Sequence, residues 1–154
     1  MWLMCGIPGS GKSTWIQEQM KIFPGVWCSR DNVRFSMVSE DEEYFSKEDE
    51  VFRAWISEIQ RAMKDESIRN IYIDATHVNE KSRDKVLNKL SLKDIDLCAV
   101  NFMTPIEECL RRNDLREGRA RVPRSVIRNM YASFNPATIM EKNRRFTEII
   151  NVLE

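Results

Sequence analysis

A glycine-rich loop that ends in a lysine and a serine is the first part of the chain that could do chemistry. Its sequence, GIPGSGKST, has Gly6 and Gly11 at the spacing Gly-x4-Gly and continues into Lys12 and Ser13. Glycines let backbone N–H groups surround an anion, the lysine brings a mobile charge to the β- and γ-phosphates, and the serine hydroxyl is a ligand for Mg²⁺. This spacing predicts a P-loop that holds a nucleoside triphosphate. The predicted phosphate contacts are Gly6, Ile7, Pro8, Gly9, Ser10, Gly11, Lys12, Ser13 and Thr14.

An aspartate ends a short apolar segment, Ile-Tyr-Ile-Asp, in the middle of the chain. Asp74 at this position is typical of a carboxylate that acts on Mg²⁺ through water. A helix cap or a surface aspartate would give the same pattern. The next residue is Ala75, whereas motor and switch ATPases commonly place a glutamate there, and the segment Asn-Lys-Leu-Ser at 88–91 lacks the aspartate of a guanine-reading Asn-Lys-x-Asp. Both absences favour transfer of phosphate to an acceptor other than water.

A carboxylate flanked by two arginines follows the second apolar segment, in the sequence SRDNVR. In an open α/β sheet the carboxyl ends of neighbouring strands share one crevice, so we expect Asp31 to face the γ-phosphate. A carboxylate there can accept the proton of an attacking hydroxyl. Arg34, a turn further on, can hold an anionic group of the substrate. The alternative is a structural salt bridge among Arg30, Asp31 and Arg34 in a loop.

An arginine-rich stretch, RRNDLREGRARVPRSVIR, follows the predicted fourth strand. It has seven arginines against two carboxylates, in a chain whose 24 basic and 24 acidic side chains otherwise balance. Arginine suits bidentate phosphate contacts and charge spread over several oxygens. Nucleotide-type kinases carry an arginine lid at this point, so residues 111–124 are interpreted as a lid. A solvated face of a helix is the alternative.

The positions of these residues require strands that alternate with helices. Apolar runs predict strands over 1–5, 26–29, 70–74 and 96–103, and helical spacing predicts helices over 12–21, 47–67, 79–90 and 105–113, with another ending near 133. Residues 147–153 fit either a strand or a helix. Trp55 and its apolar neighbours at helical spacing are predicted to lie in the core. The pattern predicts one α/β domain over 1–154, with a parallel sheet covered by helices on both faces.

Composition points to a soluble protein of the cytoplasm. The chain has 154 residues and is 42% apolar and 31% charged. No apolar run approaches the roughly 20 residues that span a bilayer, and no basic-then-apolar leader is present, so no membrane association is expected. The four cysteines, Cys5, Cys28, Cys98 and Cys109, form no Cys-x-x-Cys pair and are predicted to be buried free thiols in a reducing compartment.

Four segments together resemble the kinase domain of phage-type polynucleotide 5′-kinases. In chain order they are GIPGSGKSTW, SRDNVR, IDATHVNEKSRDK and RRNDLREGRARVPRSVIRNMYASF, and the similarity extends from residue 3 to residue 134. The resemblance implies transfer of the γ-phosphate of ATP, with Mg²⁺, to the 5′-hydroxyl end of DNA or RNA. It also implies a P-loop kinase fold with an arginine-rich lid.

The resemblance assigns roles to individual residues. It implies that Asp31 is the general base and that Arg116 is the lid arginine on ATP and on the transferring phosphate. Lys12 is implied to be catalytic as well as phosphate-binding. Ser13, together with Asp74 through water, would hold the metal. The substrate-binding residues would be Arg34, Asp74 and Thr76, of which Arg34 would hold the phosphate next to the accepting nucleoside.

The chain also departs from that family. Phage enzymes of this type often add a phosphatase domain marked by Asp-x-Asp-Gly-Thr, but here Asp94-Ile-Asp96 is followed by Leu-Cys, so no phosphatase domain is expected. The tail, FNPATIMEKNRRFTEIINV, is similar to a broader set of small P-loop kinases. This leaves a small-molecule or aminoacyl-tRNA hydroxyl as an alternative acceptor. A non-catalytic nucleotide-binding module is less favoured, because Lys12, Asp31 and Asp74 are all present.

Overall fold

Strands and helices alternate along the chain, as the sequence predicts. The computed structural model describes residues 1–141 and 145–153. Its strands are β1 (Trp2–Cys5), β2 (Val26–Ser29), β3 (Ile71–Asp74), β4 (Cys98–Phe102) and β5 (Glu148–Val152). Its helices are α1 (Lys12–Ile22), α2 (Arg30–Met37), α3 (Glu48–Lys64), α4 (Glu80–Leu87), α5 (Ile106–Asp114) and α6 (Arg124–Ala132), with a 3₁₀ turn at Gly118–Ala120. Residues 142–144 of the tail motif and residue 154 at the end of the predicted domain are not among the described residues.

Among the described residues, the sheet has five parallel strands in the order β2-β3-β1-β4-β5. The central strand β1 pairs on both sides, with Leu3 opposite Ile73 of β3 and Ala99 of β4. The chain runs from β1 to one side of the sheet and then, after β3, crosses to the other. In such sheets ligands bind outside the carboxyl ends of the strands where this reversal occurs. The fold class predicted from the sequence, a parallel α/β sheet flanked by helices, is confirmed.

Two apolar layers cover the sheet. Helix α1 packs Ile16 on one face, against Tyr72 and Val100. Helices α3 and α4 cover the other face, where the helical spacing noted in the sequence buries Trp55 completely and its indole Nε1 donates to the carbonyl of Cys28 at 2.9 Å. Fully burying a large apolar side chain stabilises a fold by roughly 1.5–3 kcal/mol, so these layers hold the strand ends in place. The prediction that Trp55 is a core residue is confirmed.

Helix α2 is not predicted by the sequence analysis, which interprets the residues after β2 only as a segment at the strand end. Ser29 caps this helix, because its Oγ accepts a hydrogen bond from the backbone N–H of Asn32 at 3.3 Å. Its apolar residues Val33, Phe35 and Met37 alternate with polar ones, a period of two that does not indicate a helix. Its first turn carries Asp31, where a negative charge favours the helix N-terminus.

Strand β5 resolves the choice that the sequence leaves open for residues 147–153, since it pairs in parallel with β4 at the edge of the sheet. All four cysteines are buried free thiols, as predicted. Burial raises the pKa of Cys5 and of Cys28 to about 12, which keeps both thiols protonated and unreactive. Within residues 1–141 and 145–153, no helix combines the length and apolar character needed to cross a bilayer.

Candidate active site

The P-loop joins β1 to α1, and its backbone conformation requires glycine. Gly9 and Gly11 have φ of 82° and 95°, in the left-handed region that disfavours other residues. A Cβ at Gly9 would also lie 2.4 Å from the carbonyl oxygen of Cys109. The loop is held from both sides: the N–H of Gly6 donates to the carbonyl of Thr76 at 2.8 Å, and Thr104 Oγ1 donates to the carbonyl of Ser10 at 3.0 Å.

The Lys12 side chain folds back onto the backbone of the P-loop. Its Nζ donates to the carbonyls of Gly6 and Ile7, both at 2.9 Å. Burial lowers the pKa of the Lys12 ammonium, and the carboxylates of Asp74 and Asp31 offset only part of this effect. The ammonium therefore lies in a poorly hydrated part of the site, within electrostatic range of two carboxylates. A phosphate group is the kind of ligand that would stabilise its charge there.

A cavity of about 290 Å³ opens in front of the loop. Ser13 and Thr14 are exposed in the first turn of α1, and the positive end of that helix is directed into the cavity. Two arginines from the predicted lid region complete the lining, which consists of Gly9, Gly11, Lys12, Ser13, Thr14, Arg112 and Arg116. The cavity has the backbone amides, hydroxyls and cations that a triphosphate needs.

Arg112 is a lining residue that the sequence analysis does not single out. Its Nε donates to Glu108 Oε1 at 2.7 Å, and its Nη1 lies 3.4 Å from the carbonyl oxygen of Gly9. Hydrogen bonds from Arg111 and Arg112 lower the pKa of Glu108 to about 2. The sequence does contain one indication of this ion pair: Glu108 and Arg112 are four residues apart, a spacing that places both side chains on the same face of a helix.

Most of the other arginines in residues 111–124 are occupied by contacts within the protein. Arg124 pairs with Asp114 at 2.5 Å, and Arg121 donates to the carbonyl of Asp114. Arg119 reaches across to α2, where it donates to the carbonyl of Val38 and lies over the ring of Phe35. Only part of the stretch therefore faces the phosphate cavity. That the stretch acts as a lid stays a prediction.

Asp74 lies at the carboxyl end of β3, between the ends of β2 and β1. It is only 8% exposed, and Trp27 Nε1 donates to its Oδ2 at 2.9 Å. Burial raises the pKa of the Asp74 carboxyl, and the charge of Lys12 and the Trp27 hydrogen bond offset only part of this. The contact of Trp27 with Asp74 was not predicted. It depends on the pairing of β2 with β3, in which Trp27 lies opposite Tyr72, and this pairing exists only in the folded sheet.

Asp31 and Arg34 form one side of a small ionic network. Arg34 Nη1 contacts Asp31 Oδ1 at 2.5 Å, while its Nε and Nη2 donate to the carboxylate of Glu48 at 2.9–3.2 Å. The Arg34 side chain is 6% exposed, whereas that of Asp31 is 68% exposed. The structural ion pair that the sequence analysis raises as an alternative is present between Asp31 and Arg34, although Arg30 pairs with Glu48 instead. Asp31 nevertheless remains open to solvent.

Asp31, Asp74 and Lys12 form one electrostatic group. Ser29, two residues before Asp31, is registered against Asp74 in the sheet. The charge of Asp31 offsets part of the lowering of the Lys12 pKa by burial, and it adds to the raised pKa of Asp74. The strand order thus brings together three residues that the sequence analysis selected separately.

Thr76 and His77 anchor the loop to the sheet. The carbonyl of Thr76 accepts the Gly6 N–H, and its side chain is partly exposed. His77 has a φ of 42°, and its Nδ1 donates to the carbonyl of Met4 at 2.6 Å while its ring stacks on Trp55. Burial lowers the pKa of His77 to about 3, so the imidazole is neutral. The anchoring role of His77 was not predicted.

Comparison with known proteins agrees with this architecture. A family model described as an AAA domain matches residues 1–137. A chain of the Pnkp1/Rnl/Hen1 RNA repair complex superposes with a TM-score of 0.72 at 22% identity, covering 92% of this chain and 49% of that one. This chain thus spans about half the length of that relative.

Two other solved structures share the fold over nearly the whole chain. A fungal RNA kinase gives a TM-score of 0.65 at 14% identity, covering 99% of this chain and 75% of that one. A gluconokinase from Sinorhizobium meliloti 1021 gives 0.60 at 14% identity, with 98% and 80% covered. The parallel sheet, the glycine loop and these likenesses agree, and the chain belongs to the AAA-domain family and has the P-loop kinase fold.

Proposed function

We propose that this protein is a kinase that transfers the γ-phosphate of ATP to the 5′-hydroxyl end of DNA or RNA. One observation carries the proposal: the exposed carboxylate of Asp31 follows β2 at the same end of the sheet as Asp74, which lies opposite Ser29, and as Lys12, which lines the phosphate cavity. A carboxylate so placed suits an acceptor hydroxyl, because it can take the proton that the hydroxyl loses as it attacks.

The donor side would hold ATP and Mg²⁺. The loop amides and Lys12 would bind the β- and γ-phosphates, and Arg112 and Arg116 would spread the charge of the transferring group. The Ser13 hydroxyl and, through water, the Asp74 carboxylate would hold Mg²⁺. These ligands fit the metal, since Mg²⁺ prefers oxygen donors and one or two carboxylates, and a cation would offset the burial of Asp74. When bound, Mg²⁺ neutralises charge on the phosphates.

The acceptor side would be organised by Asp31 and Arg34. Asp31 would take the proton of the 5′-hydroxyl as the hydroxyl oxygen forms a bond to the γ-phosphorus. The bond between the γ-phosphorus and the oxygen that bridges to the β-phosphate would break, releasing ADP. Glu48 holds the Nε and Nη2 edge of Arg34, which leaves the Nη1 edge directed toward Asp31. We assign that edge to the phosphate next to the accepting nucleoside.

The choice of a polynucleotide rests on two supports. The four sequence segments between residues 3 and 134 resemble polynucleotide 5′-kinases, and two structural relatives are an RNA repair complex and an RNA kinase. The second candidate is a kinase for a small-molecule or aminoacyl-tRNA hydroxyl. The fold shared with a gluconokinase favours keeping a small polyhydroxylated acceptor in the test.

The test is a label-transfer assay with γ-labelled ATP and Mg²⁺. The acceptors are 5′-hydroxyl DNA and RNA oligonucleotides, the same oligonucleotides already carrying a 5′-phosphate, nucleosides, gluconate and aminoacyl-tRNA. Label on the 5′-hydroxyl oligonucleotides alone is expected, and added salt should weaken their use because phosphate contacts release counterions. Label on gluconate or another small acceptor, with none on oligonucleotides, would overturn the proposal.

A further inference from the structure

Three aromatic rings beside Asp31 have no part in the proposed phosphate transfer. Phe35 lies on α2, and Tyr44 and Phe45 lie between α2 and α3. The ring centroids of Tyr44 and Phe45 are 4.8 Å apart at 89°, and those of Phe35 and Tyr44 are 6.2 Å apart. We call these three residues the aromatic patch. Phe45 stays 55% exposed despite these contacts, so one face of the patch is open to a ligand.

The aromatic patch is tied to Asp31 through Arg34. The Tyr44 hydroxyl lies 3.4 Å from Asp31 Oδ1 and accepts from Arg34 Nη1 at 3.3 Å. The Arg34 guanidinium carbon lies 4.9 Å from the Tyr44 ring centroid and 5.5 Å from that of Phe45. The rings are thus held at a set position relative to the proposed base. In a nucleoside whose 5′-oxygen lies at Asp31, one ribose separates that oxygen from the base. The aromatic patch lies at a similar separation from Asp31, since the Tyr44 hydroxyl is 3.4 Å from Asp31 Oδ1 and the Tyr44 and Phe45 ring centroids are 4.8 Å apart.

Charge around the aromatic patch decides which part of a nucleic acid fits there. Four consecutive carboxylates, residues 40–43, directly precede Tyr44, and among them Glu42 pairs with Lys47 at 2.9 Å. A phosphate backbone lying over this side would be repelled. On the other side Arg119 lies 4.9 Å from the Phe35 ring centroid. An uncharged nucleobase therefore suits the patch, with its phosphodiester directed toward the arginines.

We propose that the aromatic patch, and Phe45 above all, is a stacking platform for the nucleobase of the acceptor's 5′-terminal nucleotide. This inference rests on the proposed function. Stacking on an aromatic ring is tolerant of sequence, because every base has a π-face. The platform would favour polynucleotide acceptors over sugars, and it would do so without selecting a particular base.

The test compares Phe45→Ala with the unmodified protein on two matched oligonucleotides. One has a normal 5′-terminal nucleotide, and the other has an abasic sugar there, with the same 5′-hydroxyl and phosphodiester. Phe45→Ala should raise the KM for the normal oligonucleotide about tenfold, with the KM for ATP unchanged. Removing the base should raise the KM of the unmodified protein by a similar factor. The two changes should not add, since each removes the same contact.

Two further variants separate stacking from folding. Phe45→Leu keeps an apolar side chain but loses the flat ring, and it should raise the KM as Phe45→Ala does while the thermal midpoint stays unchanged. Phe23→Ala removes a 44% exposed ring at the far end of α1, distant from the P-loop, and should leave both KM values unchanged.

The outcomes distinguish this inference from the proposed function. If the unmodified protein labels no oligonucleotide, the proposed function and the platform are both wrong. If it labels oligonucleotides and Phe45→Ala behaves like the unmodified protein, only the platform is wrong. A tenfold loss that persists on the abasic oligonucleotide would also overturn the platform, because the effect would then not involve the base.

Discussion

The donor half of the site, the P-loop with its anchors, and the acceptor half, α2 with the start of α3, are held in place by different forces. Backbone groups hold the donor half: the Gly6 N–H and the Ser10 carbonyl are bonded to segments that follow β3 and β4. Charged side chains hold the acceptor half, where Glu48 pairs with Arg34 and Arg30. One half depends on chain geometry and the other on a network of ionised groups.

This difference predicts different sensitivities. Glycine conformation and buried amide hydrogen bonds do not respond to ionic strength, whereas partly exposed ion pairs are screened by salt. The donor half is sensitive to acid instead, because it contains the buried and neutral His77, whose protonation requires low pH. Substitutions that remove one charge should therefore disturb the acceptor half more selectively than the donor half.

The largest effect is expected from Asp31→Asn, which keeps the size of the side chain but removes its basicity. Single-turnover phosphate transfer should fall about 10²–10⁴-fold, while ATP affinity changes little. The thermal midpoint should move slightly, because the Asp31 side chain is largely exposed and such ion pairs are worth about 0–1 kcal/mol. A destabilised variant with normal transfer per folded molecule would show that Asp31 only pairs with Arg34.

Lys12→Ala tests the donor half. Removing a cation from the phosphate cavity should slow transfer by about 10²–10³-fold and weaken ATP binding, measured by pre-steady-state kinetics and calorimetry. The matched control is Lys21→Ala, which removes an exposed lysine from the last turn of the same helix, where it pairs with Glu18. Activity in Lys12→Ala equal to that of the control would mean that the P-loop is not the phosphate site.

Glu48→Ala tests whether charge pairing holds the acceptor half. The variant leaves the buried Arg34 guanidinium with Asp31 as its carboxylate partner, so the free energy of unfolding should fall by about 2 kcal/mol in urea titrations. This is below the usual cost of breaking a buried pair, because Glu48 is 32% exposed. Glu50→Ala, an exposed acid in the same first turn of α3, controls for the helix dipole. Equal losses in both variants would contradict the network.

The smallest effect concerns the pH dependence of stability through His77. Its pKa is about 3 when folded against an ordinary 6.5, so the unfolded chain binds more protons between these values. The stability that the neutral His77 contributes is complete well above pH 6.5 and is lost as the pH falls through 6.5, with a slope that approaches about 1.4 kcal/mol per pH unit at lower pH. Unfolding free energies from pH 6.5 to 5.5 should fall less in His77→Asn, which tolerates the positive φ. Parallel pH profiles for the two proteins would contradict this.

Much of the site could be predicted from the sequence where the chemistry is local. The loop residues, the Asp74 at a strand end and the core face of α3 each follow from a pattern within one segment. The partners of those residues could not be predicted. Trp27 lies 47 residues from Asp74, and Glu48 lies 14 from Arg34, so no spacing rule connects them. Helix α2 also escaped prediction, because its apolar residues alternate with polar ones and do not show helical spacing.

The phosphate loop and the alternation of strands and helices, and with them a parallel α/β domain, follow from the amino-acid sequence alone. These depend on backbone conformation and on apolar periodicity, which neighbouring residues set among themselves. The burial of Arg34 against Glu48, the exposure of Asp31 and the neutral state of His77 beneath the loop depend instead on how distant segments pack together. Burial and charge pairing depend on which segments the strand order brings together, and that order arises from packing of the whole sheet.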